Sequence, residues 1–343
     1  VDQLLNGDVV TTAENSSGTV VQSVGGGGGT ATVDLTSNPD AVITFESRLG
    51  AINTNNASGG DIDTTRNGNI LTFGRMSGAG QTQSIGGGGG RLIVDADTNG
   101  GTTKTADIIL GSDPSFFNDG GNINLNLTGD VMTIGDYAHA QVIQSIGAGG
   151  GEALIFGLSS ANVTIGAQDD STGDGGAVTA SNDGNVDTAG QGSHGFVLQS
   201  IGGGGGLTTT DLDPADVTVT TSAANGGDGN AINFSNTGYI MTTGDGSFGL
   251  LMQSLGGGGG AVDTVFRGDA GGDGAGGAID MVQTVSVLAL GEDAIGAFSQ
   301  SNGTNGAGAM NLTFDGVVFG GSGDQSAGVQ LDGGTTNQES FSQ

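Results

Sequence analysis

The sequence predicts an all-β, elongated solenoid of the parallel β-helix kind, built from repeats of about 47–61 residues with no appreciable helix. Three observations predict it. A Gln-Ser-(Val/Ile/Leu)-Gly tetrapeptide recurs along the chain, a second fixed point stands at a constant distance before each Gln, and the residues between carry strand and turn chemistry with no helical period.

The tetrapeptide places its glutamine at Gln22, Gln83, Gln144, Gln199 and Gln253, with a degraded sixth copy at Gln300-Ser301-Asn302-Gly303. Each full copy runs into five glycines, at 25–29, 86–90, 202–206 and 256–260, with Ala148 interrupting the third run. The upstream point is a turn glycine: Gly7, Gly68, Gly129, Gly184 and Gly238, with Val285 in its place in the sixth copy. Shortly before four of these, at one fixed separation, comes an apolar residue, Ile62, Ile123, Val178 or Ile232. The block from Ile62 to Gln83 therefore has the same length as the block from Ile279 to Gln300, and its length holds through the chain.

Spacing between successive glutamines nevertheless falls from 61 and 61 to 55, 54 and 47. All variation lies after the glycine run, in inserts at 31–56, 92–119, 154–174 and 207–225. Constant blocks suit stacked rungs, whereas inserts would add a rung or two or loop out as a flap. Residues 1–303 then read as the repetitive solenoid, and 304–343, where Gly316 and Gly328 mark a loose seventh copy, as a degenerate terminal repeat or cap.

Within the block, Ile232-Asn233-Phe234 alternates as a strand does, Asn236-Thr237-Gly238 turns, and Tyr239 to Thr242 resumes. Gly, Asn, Thr, Ser and β-branched residues dominate, and each disfavours a helix. The strand that carries the glutamine is apolar on both sides. Val142 and Ile146, Val197 and Ile201, and Leu251 and Leu255 flank the Gln two positions away, while Ile143, Leu198 and Met252 immediately precede it. Such a strand is buried on both faces, by an insert or by a neighbouring subunit. Each glycine run costs about 2.5–5 kcal/mol in backbone entropy relative to alanine. A left-handed corner, close approach of main chain to main chain, or a hinge could each require it, and recurrence beside a buried strand favours the first two.

Composition narrows the function. A formal charge of −30, from 36 acidic against 6 basic residues, excludes nucleic acid as a partner, because phosphate binding needs Lys and Arg. Five of the six bases (Arg48, Arg66, Arg75, Arg91 and Lys104, but not Arg267) precede residue 105. The charge keeps a β-rich chain soluble. No stretch reaches the ~20 apolar residues of a membrane span. The chain has no cysteine, which suits an extracellular product stabilised without disulfides. It opens with no basic-then-apolar leader, as expected of a processed chain or part of a longer one.

The pattern Thr-x-Gly-x-x-(Ser/Ala)-x-Gly-x-x-x-Gln-Ser-Ile-Gly-Gly-Gly-Gly-Gly, around residues 188–206 and 243–260, resembles the glycine-rich passenger repeats of bacterial autotransporters, over about residues 6–303. That resemblance implies a β-helical passenger, secreted to the bacterial cell surface or beyond, with structural or adhesive roles in adhesion, filaments or biofilm. Its partners would be further copies of itself, surface receptors or glycans. The membrane barrel of that family is not in evidence here, since no series of ~10-residue amphipathic strands with aromatic girdles appears.

Other chemistries find less support. His139 and His194 share one repeat position, where Phe248 and Ser17 stand in other copies; a whole repeat apart, they read as a tolerant surface position rather than joint ligands. Gly226-Gly227-Asp228-Gly229 and Gly271-Gly272-Asp273-Gly274 resemble calcium-binding nonapeptide rolls, making Asp228 and Asp273 weak calcium candidates, although the Asp falls two positions early. A polysaccharide-acting β-helix enzyme would need paired carboxylates or a base in a cleft; the acids sit in turns such as Asp169-Asp170 and Asp211 to Asp216, and Trp is absent. Threonines at Thr208, Thr209, Thr210 and Thr218 to Thr221 form no regular ice-binding ladder. The expectation is a non-enzymatic chain with no cofactor beyond a possible calcium ion.

Overall fold

The computed structural model describes residues 1–36, 42–50, 52–96, 103–167, 171–213, 217–219, 226–268 and 273–342. Asp169-Asp170, Gly271-Gly272, Thr220-Thr221 and parts of the inserts lie outside them. Among the described residues there is no helix, and the strands stack into long parallel sheets, as expected of the solenoid.

One repeat makes one coil. In the second repeat the chain runs through Ile62–Asn67 on face 1, turns at Gly68, and passes Ile70–Thr72 on face 2. It then crosses Gly80–Ile85 on face 3, bends through the glycine run, and returns along Gly89–Asp95 on face 4. Lys104–Leu110 on face 5 and the short Asp113–Phe116 lead back to Ile123 and the next coil. Faces 1, 2 and 3 hold 8, 7 and 7 strands in sequence order. At about 4.8 Å per strand, face 1 spans about 34 Å along the stack.

Here the structure departs from the sequence reading. The inserts add neither rungs nor a flap: they supply faces 4 and 5 of the same coil, and Gly89–Asp95 pairs in parallel with Gly28–Asp34 on one side and Gly150–Phe156 on the other. Where successive coils carry both faces, length variation is confined to the link between faces 4 and 5. Asp95 pairs with Phe156 at the same sequence offset that relates Gln83 to Gln144, but Thr105 pairs with Ser160 at the shorter offset that relates Gln144 to Gln199.

Two cores result. Faces 1 to 3 enclose the main one, where Ile62, Ile123, Val178, Ile232 and Ile279 stack in one column, fully buried. Each is worth about 1.5–3 kcal/mol relative to exposure. Face 3 is covered on both sides, as its sequence requires: Ile143, Leu198 and Met252 enter the main core, and Val142, Val197 and Leu251 pack on Leu207 and Ala261 of face 4. The opposite side of face 4 presents Leu92, Val94 and Ile155 to Ile108, Val163 and Ile165 of face 5, forming the side core.

The side lobe stops before the main one. Val265–Gly268 folds back antiparallel on Gly259–Val262 and occupies the edge where a sixth face-4 strand would lie. Past Gln300 the chain passes straight from face 3 to face 1, and 304–343 continue the main lobe with Met310–Asp315, Val318–Phe319, Ala327–Gly333 and Asn337–Ser342.

Candidate functional site

The repeated glutamines form one buried column at the seam between the lobes. Gln22 Nε2 donates to Gln83 Oε1 at 2.7 Å, Gln83 to Gln144 and Gln144 to Gln199 at 2.6 Å, and Gln199 to Gln253 and Gln253 to Gln300 at 2.7 Å. Gln300 Nε2 ends the series on Asp332 Oδ2 at 2.7 Å. From Gln83 to Gln253 the same Nε2 also donates to the carbonyl of the last glycine of its own run, at 3.2–3.4 Å, tying face 3 to face 4. Ser84 is bonded likewise: its Oγ donates to Gly60 O and accepts from Gly121 N, which holds the coil's return segment.

Fully buried amides cost free energy unless every group is bonded, so the column demands a Gln in each rung. Gln144→Leu leaves Gln83 Nε2 with only its longer bond to Gly90 O, and Gln199 Oε1 without its donor. Chemical denaturation should show a loss of about 2–4 kcal/mol, against about 1 kcal/mol or less for Gln22→Leu at the part-exposed end. Equal effects at the two positions would contradict the column.

The glycine runs combine two of the three accounts. Gly87 to Gly90 all have positive φ, from 77° to 128°, so the run is a left-handed corner. A Cβ on Gly89 would lie 2.0 Å from Gly150 O, and one on Gly90 2.0 Å from Gly29 O. Side-chain positions there point up and down the stack, where the next main chain sits. Ala148 marks the exception: it takes the second position of its run, with φ of 61°, in the left-handed region an alanine can occupy. Backbone bonds such as Gly87 N to Ala57 O at 2.9 Å exclude the hinge. The upstream glycines Gly68, Gly129, Gly184 and Gly238 stack in the same way, with a Cβ on Gly238 meeting Gly184 O at 2.0 Å.

His139 and His194 overturn the surface reading. Both are 1% exposed, and their rings stack with centroids 4.5 Å apart. Because a repeat is one coil, a whole repeat of sequence becomes one strand spacing. Each Nδ1 accepts a main-chain N–H from the rung above, His194 N to His139 and Phe248 N to His194, both at 3.2 Å. The rings are thereby held neutral with hydrogen on Nε2. Burial, reinforced by Arg91, lowers His139 to about 3, and burial holds His194 well below the usual 6.5.

Beside them the seam contains a buried charge cluster that sequence reasoning missed. Arg91 Nε lies 2.7 Å from Glu152 Oε2, which also accepts from Gln81 Nε2 at 2.9 Å, while His139 Nε2 faces Glu152 Oε1 at 3.7 Å. Arg91 and Glu152 occupy the face-4 column filled by Leu207 and Ala261 in later rungs. Reading the inserts with the offset that separates Gln83 from Gln144 would have aligned them.

Asp228 is part of a surface column. Its main-chain N–H donates to Asp174 Oδ1, and its own Oδ1 accepts from Ala275 N, both at 2.8 Å. Crowding by Asp119 and Asp228, after burial, raises the Asp174 carboxyl. Asp273 does not join this column through its side chain; its carbonyl packs against Gly226. Among the described residues no group of three His, Asp or Glu side chains is placed to hold a metal.

Comparison with protein-family models, with curated proteins and with solved structures finds no match.

The exterior is strongly anionic. Arg66, Arg91 and Lys104 are buried, Arg75 is bound to Asp95 at 2.8 Å and lies over the Phe156 ring, and among the described side chains no Lys or Arg is fully exposed. On the outer side of face 1 a shallow trough of about 530 Å³ runs across five rungs. Asn, Ser and Thr side chains line it together with the exposed Val282, and Asn124 Nδ2 to Asp63 Oδ1 at 2.8 Å and Ser181 Oγ to Asn126 Oδ1 at 3.0 Å bond one rung to the next.

Proposed function

We propose that this chain is a non-enzymatic extracellular protein, a structural or adhesive β-solenoid at the bacterial surface or in the extracellular matrix. The observation that carries this reading is the glutamine column, which joins every coil from Gln22 to Asp332 into one body. A body held by ladders along its whole length is suited to bear load and present flat faces, and its repeated polar groups are used up internally, in stacking, rather than in a cleft. The face-1 trough, rich in amides and hydroxyls, is the surface best suited to glycans or receptors.

The test is to label intact, unpermeabilised bacteria that produce the protein and to compare the adherence of producing and deletion strains to glycan-coated and abiotic surfaces. Labelling of intact cells with reduced adherence in the deletion strain is the expected result. Label that appears only after permeabilisation, with adherence unchanged, would overturn the proposal.

A further inference from the structure

Face 2 breaks the rule that governs the rest of the molecule. Faces 3 and 4 are covered on both sides, and face 1 turns mostly Asp, Asn, Thr and Ser outward, with Leu4 and Val282 the exposed apolar exceptions. Face 2 sends Ile70, Val131, Val186, Ile240 and Val287 into the main core, yet its outer side is also apolar and no described residue covers it. Val10 is 60% exposed, Phe73 44%, Met132 44%, Ile134 37%, Leu290 45% and Phe319 47%. Aligned along the stack on the narrowest face of a chain with net charge −30, these side chains form a stripe that calls for an explanation.

The order of residues in the stripe identifies what would cover it. Parallel register puts Val10, Leu71, Met132, Asp187, Met241, Leu288 and Phe319 in one column, one per rung. Seven rungs have a middle one, and it holds the column's only polar residue, Asp187. A two-fold axis at Asp187, lying in the plane of the contact and perpendicular to the stack, turns the column onto a second copy that faces it and runs the other way. Val10 then meets Phe319, Leu71 meets Leu288, and Met132 meets Met241, with apolar against apolar at every step except the axis, where Asp187 meets Asp187 of the second copy. Tyr239 donates its hydroxyl to Asp187 Oδ2 at 2.8 Å, which leaves Oδ1 unbonded, and the two facing carboxylates weaken the contact at its centre. The repeat along the stripe is the strand spacing of about 4.8 Å, and a second stack of this kind has the same repeat.

We propose that two copies of this chain pair antiparallel through face 2, in a self-complementary two-fold contact. The surface is about 30 Å long and some 15–20 Å wide, about 500 Å² per copy, below the roughly 800 Å² per partner of a stable complex. The dimer is accordingly weak and reversible, fitted to lateral association of many molecules held close together. Its edges are mostly anionic, with Asp8 and Asp130 along one side and Glu14, Asp136 and Asp245 along the other, where Arg75 is engaged with Asp95. Pairing therefore strengthens with salt, which screens these rims over about 10 Å at 0.1 M. The inference concerns the purified chain and does not depend on where the protein acts.

Sedimentation equilibrium from about 1 µM to several hundred µM, in about 20 mM and about 0.5 M NaCl, tests it. The expected result is a mass rising from 33.1 kDa toward twice that value, at lower concentration in the higher salt. The exposed triple substitution Phe73→Asp, Met132→Asp and Leu290→Asp should stay monomeric with an unchanged circular dichroism spectrum. Because the chain has no cysteine, disulfide mapping gives a second readout that does not rely on that variant folding. Asp187→Cys should cross-link to itself, and Val10→Cys should cross-link to Phe319→Cys in a mixture but not to itself. A monomer at every concentration and salt, or self-linking of Val10→Cys, would overturn the proposal. So would a monomer that binds neutral phosphatidylcholine vesicles through the stripe, which would assign the face to lipid.

Discussion

Gly150→Ala is expected to cost more than about 4 kcal/mol and to prevent a stable fold at physiological temperature. At this position φ is +131°, where an L side chain is strained, and the added methyl would stand 1.9 Å from Gly205 O. Neither fault can relax, because the obstacle is a main-chain carbonyl fixed by parallel pairing on both sides. Gly29→Ala provides the control: the same kind of backbone, φ of +126°, with nothing within 4 Å of the new methyl. It should cost only the backbone strain of about 1–3 kcal/mol. Denaturant unfolding of the two variants measures the contrast, and near-equal losses would show that axial crowding is not what selects glycine.

Stability is expected to collapse on mild acidification, driven by His139 and His194. Both rings are neutral in the fold, and both take up protons near pH 6.5 once unfolded. Below that pH the unfolded chain binds more protons than the folded one, and stability falls by about 1.4 kcal/mol per pH unit for each ring. For His139 the fall continues toward its folded value of about 3. Asp263 acts in the opposite sense. Burial raises its carboxyl from 3.8 to about 6, so the fold holds that proton more tightly and offsets roughly one ring's slope between about pH 6 and 4. Neutralising the net charge of −30 also relieves self-repulsion over this range, so the measurement is a comparison. Denaturation midpoints at about pH 7, 5.5 and 4 should drop more steeply for the natural chain than for a His139→Phe, His194→Phe variant, whatever that variant loses at neutral pH. Parallel curves would exclude the ring pair as the origin.

What could be read from the sequence depended on whether a position was chemically unique. Gln83, Gln144, Gln199 and Gln253 stood out because a buried amide column tolerates no substitute, and the glycine runs because no side chain fits between main chains stacked one strand apart. The doubly apolar strand carrying Ile143 and Val142 announced a covering layer. That layer's own strands were not legible, since a side core asks only for apolar residues of suitable size, and Leu92, Ala153, Thr208 and Val262 fill one column interchangeably. The histidines were misplaced for a related reason: sequence distance was converted to spatial distance as though a repeat contained several rungs. Once each repeat is a single coil, His139 and His194 become neighbours, and Arg91 meets Glu152 by the same arithmetic.

Every amide in the glutamine column points the same way, its nitrogen toward the C-terminal end of the stack, and the final nitrogen meets the carboxylate of Asp332. The dipoles therefore add, as they do along a helix, with an anion at the positive pole. Turning over one glutamine sets two oxygens face to face on one side and two nitrogens on the other, so the array has one sense throughout or carries a costly fault. Coil geometry and amide polarity thus give the stack a built-in arrow, and a coil laid down in reverse would find no matching partner on the growing edge.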